Sequence, residues 1–176
     1  KHIPFASVSD TAAQISITFG APTKVFNMPA LISAWAVVPN PELRHRFVDW
    51  LEGLEMLDSN LFAMPAAVAA YRNGDEWRQQ MLAYIEGNIL FVEEYCKENL
   101  PGVRPIRPEA SFLVWLDCRG LNLSQKELVN LFVNKAKLAL NIGTVFGEGG
   151  EYHMRLNVAV PQSILHKALE QLRAAL

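Results

Sequence analysis

The chain has 176 residues, 51% of them apolar, and a formal net charge of −2 at pH 7. That length fits one medium domain or two small ones, with enough apolar residues for a sizeable core. Lysine and arginine are slightly outnumbered by acids and form no strongly basic segment, which argues against nucleic acid as a partner, because phosphate neutralisation needs clustered cations.

Residues about 13–20 alternate apolar and polar and predict a strand. Gly20-Ala21-Pro22 breaks it, and Lys24 follows in a loop. Leu31 to Val38 is apolar and rich in small or branched residues, which predicts a strand buried on both faces and stopped by Pro39. Asn40-Pro41-Glu42 has the form of a helix start: a capping Asn, Pro at the first helical position, then an acid. Leu43, Phe47, Leu51 and Leu54 then share one helical face. A second helix begins near Leu61, with Pro65 at its first turn or at a kink, and Asn73-Gly74 stops it. From Glu76 to about Asn99 the residues Trp77, Met81, Tyr84, Ile85, Asn88 and Val92 keep helical spacing. A helix of that length either bridges two domains or lies in one core. Pro101-Gly102 ends it.

The last part reads strand, helix, strand, strand, helix. Ser111 to Cys118 places Phe112, Val114 and Leu116 on one face. Ser124-Gln125-Lys126-Glu127 matches a capping box and predicts a helix to about Leu140. Gly143 to Gly150 is a glycine-rich turn region, Met154 to Val160 a strand, and Gln162 to Leu176 an amphipathic helix with Ile164, Leu165, Ala168, Leu169 and Leu172 inward.

Cys96 and Cys118 show no metal-ligand spacing and make no disulfide framework, so the chain reads as cytosolic with free, buried thiols. The four histidines form no metal-binding pattern, and no metal site is expected. No apolar run reaches the length of a membrane span, and no basic-then-apolar leader pattern is present. Lys1-His2-Ile3-Pro4-Phe5 begins abruptly without Met, which reads as a piece of a longer chain, although a processed N-terminus would look the same.

Lys24 and Arg155 are the residues with chemistry to offer. Lys24 reads either as a solvated lysine or as an amine that condenses with an aldehyde, which needs its pKa lowered by burial or nearby positive charge. Strands buried on both sides of it would supply that burial. Thr23 offers a hydroxyl and a backbone N–H to an anion, or a turn hydroxyl satisfied locally. Arg155 lies in the otherwise apolar run Met154-Arg155-Leu156-Asn157-Val158. It either points to water from an edge strand or meets a carboxylate, which its planar fork grips as a lysine cannot. The Gly143–Gly150 segment does not fit a phosphate-binding loop and reads as a mobile connection carrying Phe146 towards a cleft. Trp35, Trp50, Trp77 and Trp115 read as packing.

Together these segments resemble the C-terminal half of a fold-type I pyridoxal-phosphate enzyme of the class I/II aminotransferase superfamily. Pro22-Thr23-Lys24-Val25-Phe26-Asn27 is similar to the family's cofactor-lysine segment, with its Ser/Thr-Lys-x-Phe-Asn core. Asn40-Pro41-Glu42-Leu43 matches the helix start that follows, and Gly143 through Pro161, with Phe146-Gly147 and Arg155-Leu156-Asn157, resembles the carboxylate-binding end. His2-Ile3-Pro4-Phe5-Ala6-Ser7 is similar to the segment before the lysine strand in the cystathionine β-lyase-like C–S lyases. Ala21 stands where many aminotransferases have a phosphate-binding hydroxyl, and Ile32 where many have an arginine; both departures favour the lyase branch.

The resemblance implies an α/β fold: the end of a large pyridoxal-phosphate domain over 1–74, then an interdomain helix and a small C-terminal domain over 75–176. It implies pyridoxal 5'-phosphate as cofactor, Lys24 holding its aldehyde and acting as base and acid, Thr23 helping to hold its phosphate, and Arg155 gripping the α-carboxylate of an amino-acid substrate. The expected activity is a C–S β-lyase of the cystathionine β-lyase type that releases thiol, pyruvate and ammonia. The alternatives are an aminotransferase of the same fold and, for the chain alone, a non-catalytic fragment. A homodimeric, cytoplasmic parent is what the resemblance implies, with neither nucleic acid nor membrane as partner.

Overall fold

Ser9 opens a helix where the strand pattern begins. Its side chain accepts a hydrogen bond from Ala12 N at 3.1 Å, Asp10 occupies the first turn, and Asp10–Gln14 is helical (α1). The strand expected over 13–20 is thereby reduced to Thr18–Gly20 (β1). It pairs antiparallel with Trp35–Val37 (β2), Gly20 opposite Trp35. A Cβ at Gly20 would lie 2.0 Å from the Trp35 ring, so the indole can cover β1 only because that residue is glycine.

Between the strands come a single helical turn, Pro22–Val25 (α2), and a 3-10 turn, Pro29–Leu31. The strand expected over Leu31–Val38 is correspondingly shorter, because Pro29 sets a turn where it would start. Its burial on both faces is not found either. All three residues of β2 are exposed, and β1 is the one strand paired with it among the described residues.

The Asn40 side chain accepts from Glu42 N at 2.9 Å and Leu43 N at 3.2 Å, and Pro41 takes the first position of Pro41–Gly53 (α3). Pro65 sits in the first turn of Ala63–Asn73 (α4), where its missing N–H leaves no bond unmade, and Gly74 caps the end. Asp75–Asn99 (α5) follows. The structure is a computed structural model describing residues 2–58 and 60–176, and the chain divides within α5 into two compact units, Lys1–Gln80 and Met81–Leu176. In the first unit the buried apolar residues are small or medium-sized, Ala12, Val38, Ala63 and Ala67. Several of its large ones are open to solvent, Phe5, Phe19, Ile32 and Trp50 being 59% to 79% exposed, while Phe26 and Phe47 are half-buried.

The second unit is built on an antiparallel sheet of Arg104–Ile106 (β3), Leu113–Asp117 (β4), Asn141–Ile142 (β5) and His153–Asn157 (β6), in the order β3-β4-β6-β5. The sequence reading misses β3, and it counts a strand between the capped helix and β6, where β5 lies, without assigning residues to it. Pro105 argues against a strand in general, but β3 is an edge, where a lost donor is tolerated. Gln125–Asn130 (α6) starts on the expected capping box, the Glu127 carboxylate accepting from Ser124 N at 2.9 Å. The helix predicted to reach Leu140 instead loosens into a π-turn over Leu131–Lys135 and ends at Lys137, whose φ is 59°. Ala136 N reaches back to Leu131 O at 2.8 Å, and this wider turn keeps both Leu131 and Phe132 buried.

Gln162–Ala175 (α7) closes the chain with Leu165, Leu169 and Leu172 inward; Ile164, expected beside them, is 54% exposed. These residues join Ile89 and Val92 of α5, Leu128 of α6, and Val114, Leu116, Met154 and Leu156 of the sheet in one core, so the helices cover one sheet face. Asn88, set in the apolar stripe of α5, donates through Nδ2 to Val158 O at 2.8 Å and Val160 O at 2.9 Å and ties that helix to the end of β6. Cys96 and Cys118 are free and buried, and burial pushes both thiols up to about 12. Among the described residues no helix is long and apolar enough to cross a membrane.

Candidate functional site

The lysine turn belongs to the first unit. Ala21, extended at φ −151°, caps α2 without a side-chain bond, and Pro22 takes the first helical position. The position where a hydroxyl is lacking is thus the N-cap of the lysine helix. The turn closes with Phe26 N on Pro22 O and Met28 N on Thr23 O, both at 2.9 Å. Asn27 then adopts φ 50°, a left-handed conformation that asparagine accepts more readily than most residues. That is a backbone reason for the Asn of the motif. Phe26 packs edge-on against Tyr71 at 5.5 Å, and the Tyr71 hydroxyl accepts from Trp35 Nε1 at 3.0 Å, so α4 and β2 hold the turn from behind.

Thr23 is half-buried and Lys24 is exposed. Two expectations are corrected here. Lys24 stands on a helical turn rather than in a loop, and its flanking strands do not bury it, because β1 and β2 form a two-stranded ribbon. Among the described residues no carboxylate forms an ion pair with Lys24.

Arg155 belongs to the second unit. Strand alternation turns it to the sheet face opposite the core, with Trp115 in register on β4 and Asn141 in register on β5. It is not the edge-strand arginine that one reading allowed, since β6 is paired on both sides. Nη2 donates to Asn141 Oδ1 at 2.8 Å, and Cζ lies 4.5 Å from the centroid of the Phe146 ring. Nε is buried and has no hydrogen-bond partner among the described residues. Leaving a buried donor unpaired costs roughly 1–3 kcal/mol; the free donors open to a ligand are on the Nη atoms, of which Asn141 takes one hydrogen.

Phe146 arrives there at the end of a 3-10 turn, Gly143–Phe146. A Cβ on Gly143 would meet Gly150 O at 2.0 Å, and Gly147 holds φ 111°, so the glycines let the two ends of the loop touch. Phe146 also borders a cavity of about 310 Å³ with Ile106, Trp115 and His153.

On the same sheet face is a charge cluster that the sequence reading did not single out. Asp117 is 6% exposed and accepts from Arg119 through Nε at 2.9 Å, Nη2 at 2.7 Å and backbone N at 3.1 Å, and from Arg104 Nη2 at 2.9 Å. His153 Nε2 is 4.0 Å away. The Arg119 side-chain bonds, with the Arg119 N–H and Arg104, hold the carboxyl well below the usual carboxylate range against the opposing effect of burial. A depressed folded-state pKa means stability that is present above the unfolded value, about 3.9, and lost as pH falls through the folded one. Asp117→Asn is therefore expected to cost on the order of 2 kcal/mol at pH 7, with the gap to wild type closing as pH drops from about 5 to 2. Urea denaturation of both proteins across that range checks it.

Each unit carries one fitting donor: an amine suits an aldehyde-bearing cofactor, and a guanidinium suits a carboxylate. In the first unit Lys24 is an exposed primary amine that follows Thr23 and has no ion pair among the described residues; in the second, Arg155 presents a guanidinium with one hydrogen bond to Asn141. No family model matches the sequence. The chain is 39% identical to the cystathionine β-lyase PatB of Bacillus subtilis over 176 residues, all of this chain and 46% of that protein. It is 30% identical to the protein MalY of Escherichia coli, over 96% of this chain and 43% of that protein. Cystalysin from Treponema denticola, whose crystal structure contains a pyridoxal 5'-phosphate cofactor, superposes with a TM-score of 0.95 at 27% identity, covering 99% of this chain and 44% of that one.

The chain belongs to the fold-type I pyridoxal-phosphate enzymes and corresponds to the C-terminal part of their α/β fold. Its likeness to PatB, to MalY and to a β-cystathionase structure from Corynebacterium diphtheriae makes it cystathionine β-lyase-like within that family. It spans about half the length of these relatives, 46% and 43% of the two curated ones.

Proposed function

We propose that this chain supplies the lysine and the carboxylate-gripping arginine of a pyridoxal-phosphate-dependent C–S β-lyase of the cystathionine β-lyase type. The observation that carries the reading is Arg155: a guanidinium held by Asn141 and Phe146, in a doubly paired strand, in a chain 39% identical throughout to a cystathionine β-lyase. On this reading residues 1–74 serve as the end of the large cofactor domain, and 75–176 as the interdomain helix and small domain. The working protein is a cytoplasmic homodimer acting on a small amino acid. The 176-residue chain by itself is non-catalytic.

Pyridoxal phosphate, when bound, supplies the electron sink for the substrate's α-carbon. Lys24 holds the cofactor aldehyde through Nζ. With the cofactor held there, Nζ would be the base that takes the proton from the substrate's α-carbon, and loss of the thiol from the β-carbon would follow. Thr23 holds the cofactor phosphate with its hydroxyl. Arg155 fixes the substrate by its α-carboxylate.

With cystathionine the balance is substrate plus water giving homocysteine, pyruvate and ammonia. A full-length protein, extended to the length of its relatives, is expected to release pyruvate from cystathionine with no 2-oxo acid added. Strict dependence on such an acceptor would reject the lyase in favour of the aminotransferase alternative.

A further inference from the structure

We infer that Phe146 and Asn141 are positioning residues for the carboxylate grip: they hold the Arg155 guanidinium in place and leave its remaining Nη hydrogens for the incoming carboxylate. The inference rests on the reading of Arg155 as the partner of the substrate's α-carboxylate. An arginine side chain has many rotamers, and a carboxylate that must first order them loses affinity. Here the ordering is built in.

Arg155 sits between two strands in register, Trp115 on one side and Asn141 on the other. Asn141 Oδ1 takes an Nη2 hydrogen at 2.8 Å, which fixes the guanidinium within the sheet face. Phe146 lies under Cζ at 4.5 Å, and an aromatic face attracts a cation lying parallel to it. The Phe146 ring is itself fixed. It meets Trp115 edge-on at 5.4 Å and 81°, and Trp115 meets His153 edge-on at 5.9 Å and 86°.

The glycine turn completes the device, since contact between Gly143 and Gly150 determines where Phe146 emerges. Two neighbours therefore hold the guanidinium, and between them they take a single Nη2 hydrogen. That pattern is what a pre-organised donor requires: an immobilised group with N–H donors still free.

The test compares Phe146→Leu, Phe146→Tyr, Asn141→Ala and Arg155→Lys. In the full-length protein, KM and kcat for cystathionine are measured. In the 176-residue chain, the Arg155 Nε–Hε nitrogen–proton resonance is followed during titration with propionate, a carboxylate that needs no cofactor. Phe146→Leu is expected to raise KM about tenfold with a much smaller change in kcat, Phe146→Tyr to restore KM to within about twofold of wild type, and Asn141→Ala to raise it about fivefold. The Nε–Hε proton is expected to exchange slowly in the wild type, to shift with propionate, and to exchange faster in Phe146→Leu and Asn141→Ala.

If Arg155→Lys raises KM while Phe146→Leu and Asn141→Ala leave KM and the Nε–Hε signal unchanged, the positioning role is overturned and the carboxylate reading stands. If Arg155→Lys itself leaves KM unchanged, the carboxylate reading fails and the positioning role falls with it. Should Phe146→Leu not fold, an unchanged KM and signal in Asn141→Ala are enough to overturn the proposal.

Discussion

Replacing Lys24 with alanine in the full-length protein is expected to lower kcat/KM on cystathionine by at least about 10³-fold. Two roles disappear together, covalent attachment of the cofactor aldehyde and proton transfer at the substrate's α-carbon. Lys24→Arg is expected to fare no better, because a guanidinium stays protonated and can neither condense with an aldehyde nor accept the proton. The loss should not come from unfolding. Lys24 is exposed and forms no ion pair among the described residues, and substitutions at such surface positions usually shift stability by less than about 0.5 kcal/mol. Steady-state kinetics and a thermal melt on the same preparation separate the two effects. Substantial turnover by Lys24→Ala would remove the lysine from the mechanism.

Arg155→Lys is the second large effect: KM for cystathionine is expected to rise about 100-fold, with kcat much less affected. A lysine keeps the charge but offers neither the planar fork nor the flat surface that lies on Phe146 at 4.5 Å. Loss of a charge-assisted grip on a partly buried carboxylate is worth roughly 2–3 kcal/mol, which is that factor in affinity. Steady-state kinetics on cystathionine and on its α-amide distinguish the carboxylate from the rest of the substrate. The wild type should discriminate strongly between the two and Arg155→Lys weakly, whereas equal discrimination by both would mean that Arg155 contacts something else.

The parts of the fold that could be read from sequence are those fixed by neighbours along the chain. Asn40-Pro41, Ser124 with Glu127, and Asn73-Gly74 each carry their whole signal within a few residues, and each caps a helix end as read. The stretch Leu31–Val38 misled for the opposite reason. Its apolar composition calls for covering surface, but among the described residues the ribbon of β1 and β2 leaves β2 exposed. β3 escaped, and β5 could not be given residues, because a three-residue strand containing proline and a two-residue strand have no periodicity to detect.

The candidate site divides in the same way. Thr23 and Lys24 stand in one short motif, and Arg155 is conspicuous as a charge in an apolar strand. Asn141 and Asp117 gave no such signal. Asn141 is 14 residues from Arg155 and reaches it only through the β5–β6 register, and Asp117 looks like an ordinary strand-end acid until Arg104 and Arg119 close on it. A pointer was available in the glycines around Phe146: so many in one loop imply close backbone contact, and the aromatic among them had to be delivered somewhere.

Borohydride reduction of the full-length protein loaded with pyridoxal phosphate, followed by peptide mass mapping, tests the identity of the cofactor lysine without relying on turnover. The peptide containing Pro22-Thr23-Lys24-Val25 should carry one phosphopyridoxyl group on Lys24, and the Lys24→Ala protein should carry none. A label on another lysine, with Lys24 unmodified, would contradict the assignment.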